Sequence, residues 1–127
     1  MFKIAIIEDD VLLAELYRLK FESKDYHIRV AHNGIEGLAL CQKHKPELIL
    51  LDLMMPEMTG LEMLKRLRAE KWGASTRVII LTNISKDEAP TELRLLNVDR
   101  YIVKAHHTPG QVVDVAEEIL GEKSQPK

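Results

Sequence analysis

Four apolar residues, Leu48 to Leu51, run without a break into a carboxylate, Asp52, and this run limits the fold more than any other stretch. So short and uniform a run reads as a strand covered on both faces, the usual setting of a strand in a parallel sheet. Two more runs of the same kind occur, Ile4 to Ile7 and Val78 to Leu81. Each ends at a polar residue, Glu8 in one case and Thr82 in the other. Pro56 and Gly60 punctuate the segment after Asp52, so the chain turns there and a new element begins. Taken alone, Asp52 is either a helix cap or part of a site, because open parallel sheets bind ligands just beyond the carboxyl ends of their strands.

Helical patterns fill the gaps between the runs. Leu12, Leu16 and Leu19 recur at i, i+4 and i+7, which predicts an amphipathic helix from Val11 to Ser23 with Asp10 as its cap. Tyr26 to Ala31 alternates Ile28 and Val30 with His27 and Arg29, as a half-exposed strand near a sheet edge does. Asn33 and Glu36 open a second helix, which carries Ile35, Leu38 and Ala39 and ends before Pro46. Thr59 and Glu62 form a capping box for a third, with Leu61, Leu64 and Leu67 on one face and an end near Trp72 and Gly73. A fourth helix is predicted after Asp87, with Pro90 in its first turn, Leu93 and Leu96 inward and Asn97 closing it in the left-handed conformation. Arg100 to Val103 read as a fifth strand. Thr108, Pro109 and Gln111 open a fifth helix, which carries Val112, Val115, Ala116 and Ile119.

Five strands alternating with five helices predict an α/β fold with a parallel sheet covered on both faces. The order 2-1-3-4-5 is the leading arrangement, with strands one and three side by side at the switch point. The chain's 127 residues suffice for one domain, placed at residues 1–121, with a polar tail at 122–127. Hydrophobic residues make up 46%, charged residues 30%, and the formal charge is -2, so there is no basic surplus for a nucleic acid. The single cysteine, Cys41, excludes an internal disulfide and reads as a packing residue. The apolar N-terminus meets Glu8 too soon for a signal peptide or a membrane span, which makes the cytoplasm the default location. Trp72 reads as a lid on the core, and His106 and His107 as a solvated pair.

The chemistry collects at the strand exits. Strand one delivers Glu8 and Asp9, strand three Asp52, strand four Thr82 and strand five Lys104. In the predicted order all five converge on one end of the sheet. Three neighbouring carboxylates repel one another, and a hard divalent cation relieves the repulsion. Mg²⁺ takes oxygen ligands and commonly combines one or two carboxylates with a phosphate. Lys104 and Thr82 can then meet phosphoryl oxygens, and Asp52 is placed as a nucleophile able to form an aspartyl phosphate.

These residues carry a family resemblance. Over roughly residues 2 to 120 the chain resembles the receiver domain of two-component response regulators. The carrying residues are Glu8 and Asp9, Asp52 with Pro56 and Gly60, Thr82, and Lys104 preceded by Tyr101. The resemblance implies a flavodoxin-like three-layer sandwich. It implies that Asp52 accepts a phosphoryl group from the phosphohistidine of a sensor histidine kinase or phosphotransfer protein. Glu8, Asp9, Asp52 and the backbone carbonyl of Met54 would form the Mg²⁺ site, with Asp10 a helix cap. Thr82 and Tyr101 would be the switch pair, with Tyr101 swinging inward on phosphorylation. The face made by the fourth helix, fifth strand and fifth helix would then change its affinity for a downstream effector or for a second copy. Such a chain is a signalling switch with self-catalysed phosphoryl transfer and slow hydrolysis, not an enzyme of ordinary turnover. No nucleic-acid or membrane partner is implied.

Two positions depart from the family pattern. Ala105 stands where proline usually follows the lysine, and a cis bond before a non-proline residue costs about 3–4 kcal/mol, so trans is expected. Asn83 stands where a small residue is common. Met54 and Ile84 flank the site by resemblance and are expected to restrict water and slow dephosphorylation. Met54, Met55 and Met58 are expected to pack around the loop after Asp52. The alternative is an interaction module that works without phosphorylation. An aspartate-based phosphatase fits poorly because position 54 is Met rather than a second Asp. Flavin binding fits less well still, because Glu8 and Asp9 occupy the loop that would cradle its phosphate.

Overall fold

The computed structural model describes residues 1–121, so the tail at 122–127 lies outside the described residues. The strands are β1 (Lys3–Ile7), β2 (His27–Ala31), β3 (Leu48–Leu51), β4 (Arg77–Thr82) and β5 (Arg100–Val103). They form one parallel sheet in the order β2-β1-β3-β4-β5, as expected. Four α-helices surround it: α1 (Val11–Glu22), α2 (Gly34–His44), α3 (Gly60–Ala69) and α4 (Pro109–Leu120). No described helix is long and apolar enough to cross a membrane.

The period of two along each strand divides the core into two layers. Ile4, Ile6, Leu48, Leu50, Ile79 and Leu81 face Ala14, Tyr17 and Phe21 of α1 and Val112, Ala116 and Ile119 of α4. Ala5, Ile7, Ile49, Leu51, Val78 and Ile80 face the other way, with Cys41 of α2 and Met63, Leu64 and Leu67 of α3. The unbroken run in β3 is thus explained, since alternate residues serve opposite layers and all four are buried. Each such side chain contributes about 1.5–3 kcal/mol relative to exposure. The outer β2 exposes His27 and Arg29 and buries Ile28, as its alternation predicts for an edge strand. Cys41 is fully buried, which pushes its thiol up to about 12 and leaves it inert. Trp72 packs against the second layer, with the Lys45 ammonium 5.4 Å over its ring.

Several expectations need correction. The helix from Val11 forms and Asp10 caps it at Leu13, but its predicted apolar face is turned outward. Leu12, Leu16 and Leu19 are exposed, and Ala14, Tyr17 and Phe21 fill the core instead. In α2 the exposed positions include Ile35 and Ala39, while Gly37 and Cys41 are buried. Thr59 accepts from the Glu62 amide, but the Glu62 carboxylate pairs with Arg66 rather than completing the box. Thr108 and Gln111 do form a full capping box on α4.

The predicted fourth helix is absent. Two 3₁₀ turns, Lys86–Glu88 and Thr91–Leu95, take its place, and Asp87 caps neither. The cause is Pro90. A residue before proline is pushed out of the helical region, and Ala89 is extended at φ -67 and ψ 148. Too few residues then remain before Asn97, which is left-handed at φ 55 as expected. The fifth predicted helix is therefore α4, the fourth that forms.

Arg68 ties this irregular segment down. Its guanidinium donates to the carbonyls of Leu96 (2.8 Å), Gly73 (2.9 Å), Thr76 (2.7 Å) and Asn97 (3.0 Å). Burial lowers its pKa, against the pull of Asp99. Arg68→Ala is expected to cost about 2–4 kcal/mol in urea unfolding, since hydrogen bonds to a charged group are worth more than neutral ones. Arg68→Lys is expected to recover only part of the loss, because a point charge cannot reach four carbonyls at once.

Candidate functional site

The register of the central strands assembles the site. Ile7 pairs with Leu51 on one side and with Ala31 on the other. The next residues along, Glu8, Asp52 and His32, therefore leave the sheet at one level. The Asp52 amide donates to the Ile7 carbonyl (3.1 Å) and the Glu8 amide to the Ala31 carbonyl (3.0 Å), so both carboxylates stand on a continued ladder. Gly60 closes the loop after Asp52 through its amide on the Leu53 carbonyl (3.0 Å).

Asp52 and Glu8 are both buried, and Asp9 is exposed at the rim. One oxygen from each of the three carboxylates lies within 4.8 Å of the others. Lys104 reaches in from the end of β5. Its ammonium bonds Glu8 at 2.6 Å and Asp52 at 2.9 Å. The other Asp52 oxygen accepts from the Met54 amide (3.2 Å), and the other Glu8 oxygen accepts from the Asp10 amide (3.0 Å). Burial raises the Glu8 pKa above the usual glutamate value, and the Lys104 hydrogen bond works against that rise. Burial also works against the Lys104 charge, but its two carboxylate partners outweigh it and raise its pKa.

Thr82 ends β4, fully buried, and its hydroxyl has no hydrogen-bond partner. A buried hydroxyl without a partner is costly and calls for a role. Tyr101 lies half-buried on β5, and its hydroxyl donates to the Ile84 carbonyl at 2.7 Å. Burial, and secondarily the Asp52 charge, raise its pKa. The peptide before Ala105 is trans, since the described chain contains no cis bond. Lys104 nonetheless reaches both carboxylates.

The donor set fits the expected cation. Its atoms are all carboxylate oxygens, the ligand type that Mg²⁺ takes, and no described cysteine or histidine joins the cluster. The unpartnered Thr82 hydroxyl and the Lys104 ammonium are donors of the kind that phosphoryl oxygens accept from.

The structure thus brings Glu8, Asp9, Asp52 and Lys104 together at one end of the sheet. Met54 itself is 63% exposed, so it does not pack over its loop, whereas Met55 is buried and Met58 half-buried. His106 is exposed as expected, but His107 is half-buried with Nδ1 out of solvent, and neither joins the cluster. His32 was not among the expected residues. Its Nδ1 lies 2.9 Å from the Glu8 carbonyl. The sequence signal for it is its place at the exit of strand two, directly after Ala31.

The sequence matches the model for the response regulator receiver domain over residues 4–116. The transcriptional regulatory protein YkoG of Bacillus subtilis is 37% identical over 103 residues, which cover 80% of this chain and 43% of YkoG. The chain therefore spans less than half the length of that relative. The polar-differentiation response regulator DivK of Brucella anthropi is 30% identical over 119 residues, or 94% of this chain and 96% of DivK. Among solved structures, the receiver domain of the Francisella response regulator 1452 superposes with a TM-score of 0.83 at 28% identity. That match covers 98% of this chain and 100% of the other. Vibrio cholerae CheY4 shares the fold with a TM-score of 0.86 at 24% identity, over 94% of this chain and 98% of its own. The chain belongs to the response regulator receiver domains, the phosphorylation-responsive signalling proteins of two-component systems.

Proposed function

We propose that this receiver takes a phosphoryl group onto Asp52 with Mg²⁺ and changes its partner surface in response. The observation that carries the reading is the setting of Asp52. It is buried at the β3 exit, held by the Met54 amide on one oxygen and the Lys104 ammonium on the other, beside Glu8 and Asp9.

Glu8, Asp9, Asp52 and the Met54 carbonyl would hold Mg²⁺, which screens the negative charge between carboxylate and phosphoryl oxygens. In the transfer, an oxygen of Asp52 attacks phosphorus as the N–P bond of a donor phosphohistidine breaks. The bonding pair leaves with the imidazole, which takes a proton from solvent. Lys104 then has a phosphoryl oxygen to bond in place of Asp52, and the Thr82 hydroxyl gains an acceptor. Movement of Thr82 alters the space beside Tyr101, whose tie to Ile84 links the site to the face of β5, α4 and the two 3₁₀ turns. Phosphorylation favours whichever arrangement of that face contacts the phosphoryl group better. A sensor kinase or phosphotransfer protein in the cytoplasm is the proposed donor. A downstream effector, or a second phosphorylated copy, is the proposed reader.

The test is intact mass after incubation with acetyl phosphate, with and without Mg²⁺, for the wild type and Asp52→Asn. A Mg²⁺-dependent gain of one phosphoryl group, lost in the variant, is expected. No gain in a wild type that binds Mg²⁺ would favour an interaction module instead. Once phosphorylated, Ile84→Glu is expected to shorten the phosphoryl lifetime severalfold, because a carboxylate there admits and orients water. An unchanged decay of the added mass would remove Ile84 from that role.

A further inference from the structure

We infer that His32 is a positioning residue for the cation site, its Nδ1–H holding the Glu8 carbonyl and so aiming the turn that presents Glu8 and Asp9. The inference rests on the Mg²⁺ reading above. A main-chain carbonyl carries no proton, so in the 2.9 Å contact the imidazole is the donor. Two consecutive residues thereby clasp both backbone groups of Glu8. The Ala31 carbonyl accepts from the Glu8 amide, and the His32 ring donates to the Glu8 carbonyl.

That carbonyl belongs to the peptide that joins Glu8 to Asp9. Its rotation would swing the two carboxylates relative to each other. Asp9 is exposed, so its direction follows from its neighbours. On one side is the clasped Glu8, and on the other is Asp10, whose carboxylate caps α1 at the Leu13 amide (3.1 Å). His32 itself stands on a rigid frame. Ala31 before it is in the sheet, and Asn33 after it caps α2 at the Glu36 amide (2.8 Å). Gly34 then lies against the loop after Asp52, where a Cβ would come 2.5 Å from the Met58 carbonyl. The ring therefore links β2, the start of α2 and the acidic turn.

The test is calorimetric titration of Mg²⁺ into the full chain as wild type, His32→Ala and His32→Asn. The asparagine amide nitrogen sits as many bonds from Cα as Nδ1 and can donate to the same carbonyl. His32→Ala is expected to weaken Mg²⁺ binding about 10-fold, the lower end for loss of an outer partner of a metal site. His32→Asn is expected to recover most of it. The Mg²⁺ concentration that gives half-maximal phosphoryl gain should rise in His32→Ala and return toward the wild-type value in His32→Asn. Wild-type affinity in His32→Ala overturns the inference, and so does an Asn variant as weak as Ala. A wild type that binds no Mg²⁺ overturns the site reading itself, a result distinct from either.

Discussion

Lys104→Met is expected to lower the free energy of unfolding by about 3–5 kcal/mol near neutral pH, because it strands buried carboxylates without their counter-charge. Glu8 and Asp52 are almost wholly buried, and the one ammonium touches both. Methionine keeps an unbranched apolar stem like that of lysine, so the change removes chiefly the ammonium with its charge and hydrogen bonds. The loss should depend on pH in a definite direction. Glu8 in the folded chain already stands above its ordinary pKa, and removing Lys104 takes away the hydrogen bond that opposes the rise. A carboxyl with a raised folded pKa binds its proton more readily folded than unfolded. Stability therefore rises as pH falls through the folded pKa, and the gain is complete below the unfolded value. The deficit of the variant should be larger near neutral pH than in acid below the raised folded pKa, where Glu8 takes up a proton. In the wild type, the Lys104 contribution is fully present below the unfolded lysine pKa and is lost as pH climbs through the raised folded value. Urea unfolding of both proteins at neutral and at acid pH measures this. Equal deficits at both would mean that the charge of Lys104 is not what holds the pocket. Mg²⁺ should restore more stability to the variant than to the wild type, since it would supply the missing positive charge.

Gly60→Ala is expected to cost about 3 kcal/mol and to abolish phosphoryl acceptance, although the change adds a single methyl group. A Cβ at Gly60 would come 2.1 Å from the Asp52 carbonyl oxygen and 2.8 Å from the Leu53 Cα. Both neighbours are main chain, so no rotamer change relieves the clash. Backing α3 away would break the Gly60 amide bond to Leu53. Shifting β3 would displace Asp52 from the Lys104 ammonium and the Met54 amide. The reason is close approach rather than backbone conformation, because the only described glycine at positive φ is Gly121. Thermal unfolding together with intact mass after acetyl phosphate treatment measures both effects. Wild-type values in both would show that the loop yields easily.

Much of this molecule is legible in its sequence. Where apolar runs were continuous, as in Leu48 to Leu51, both strand and depth followed from the run itself. The strand exits then carried most of the site, because a parallel sheet delivers all its exits to one end. The failures have local causes. α1 has two apolar stripes at helical spacing, and periodicity alone cannot choose between them. The choice falls to Tyr17 and Phe21, whose rings fill volume that only the assembled sheet defines. The missing helix turned on Pro90, which is harmless in a first turn but forces Ala89 out of the helix. The place of His32 at a strand exit is legible in the sequence, but its partner is a backbone carbonyl, and no residue pattern encodes such a partner.

The bridging ammonium has a consequence for the life of the protein. Because the Lys104 ammonium bonds Glu8 and Asp52 from within, the fold carries part of its own counter-charge. A chelator should leave the chain folded and resistant to proteases, and should remove only its competence to react. Metal supply would then set how much of the protein is ready, while synthesis and degradation set how much of it there is. The two quantities could be tuned separately in a cell.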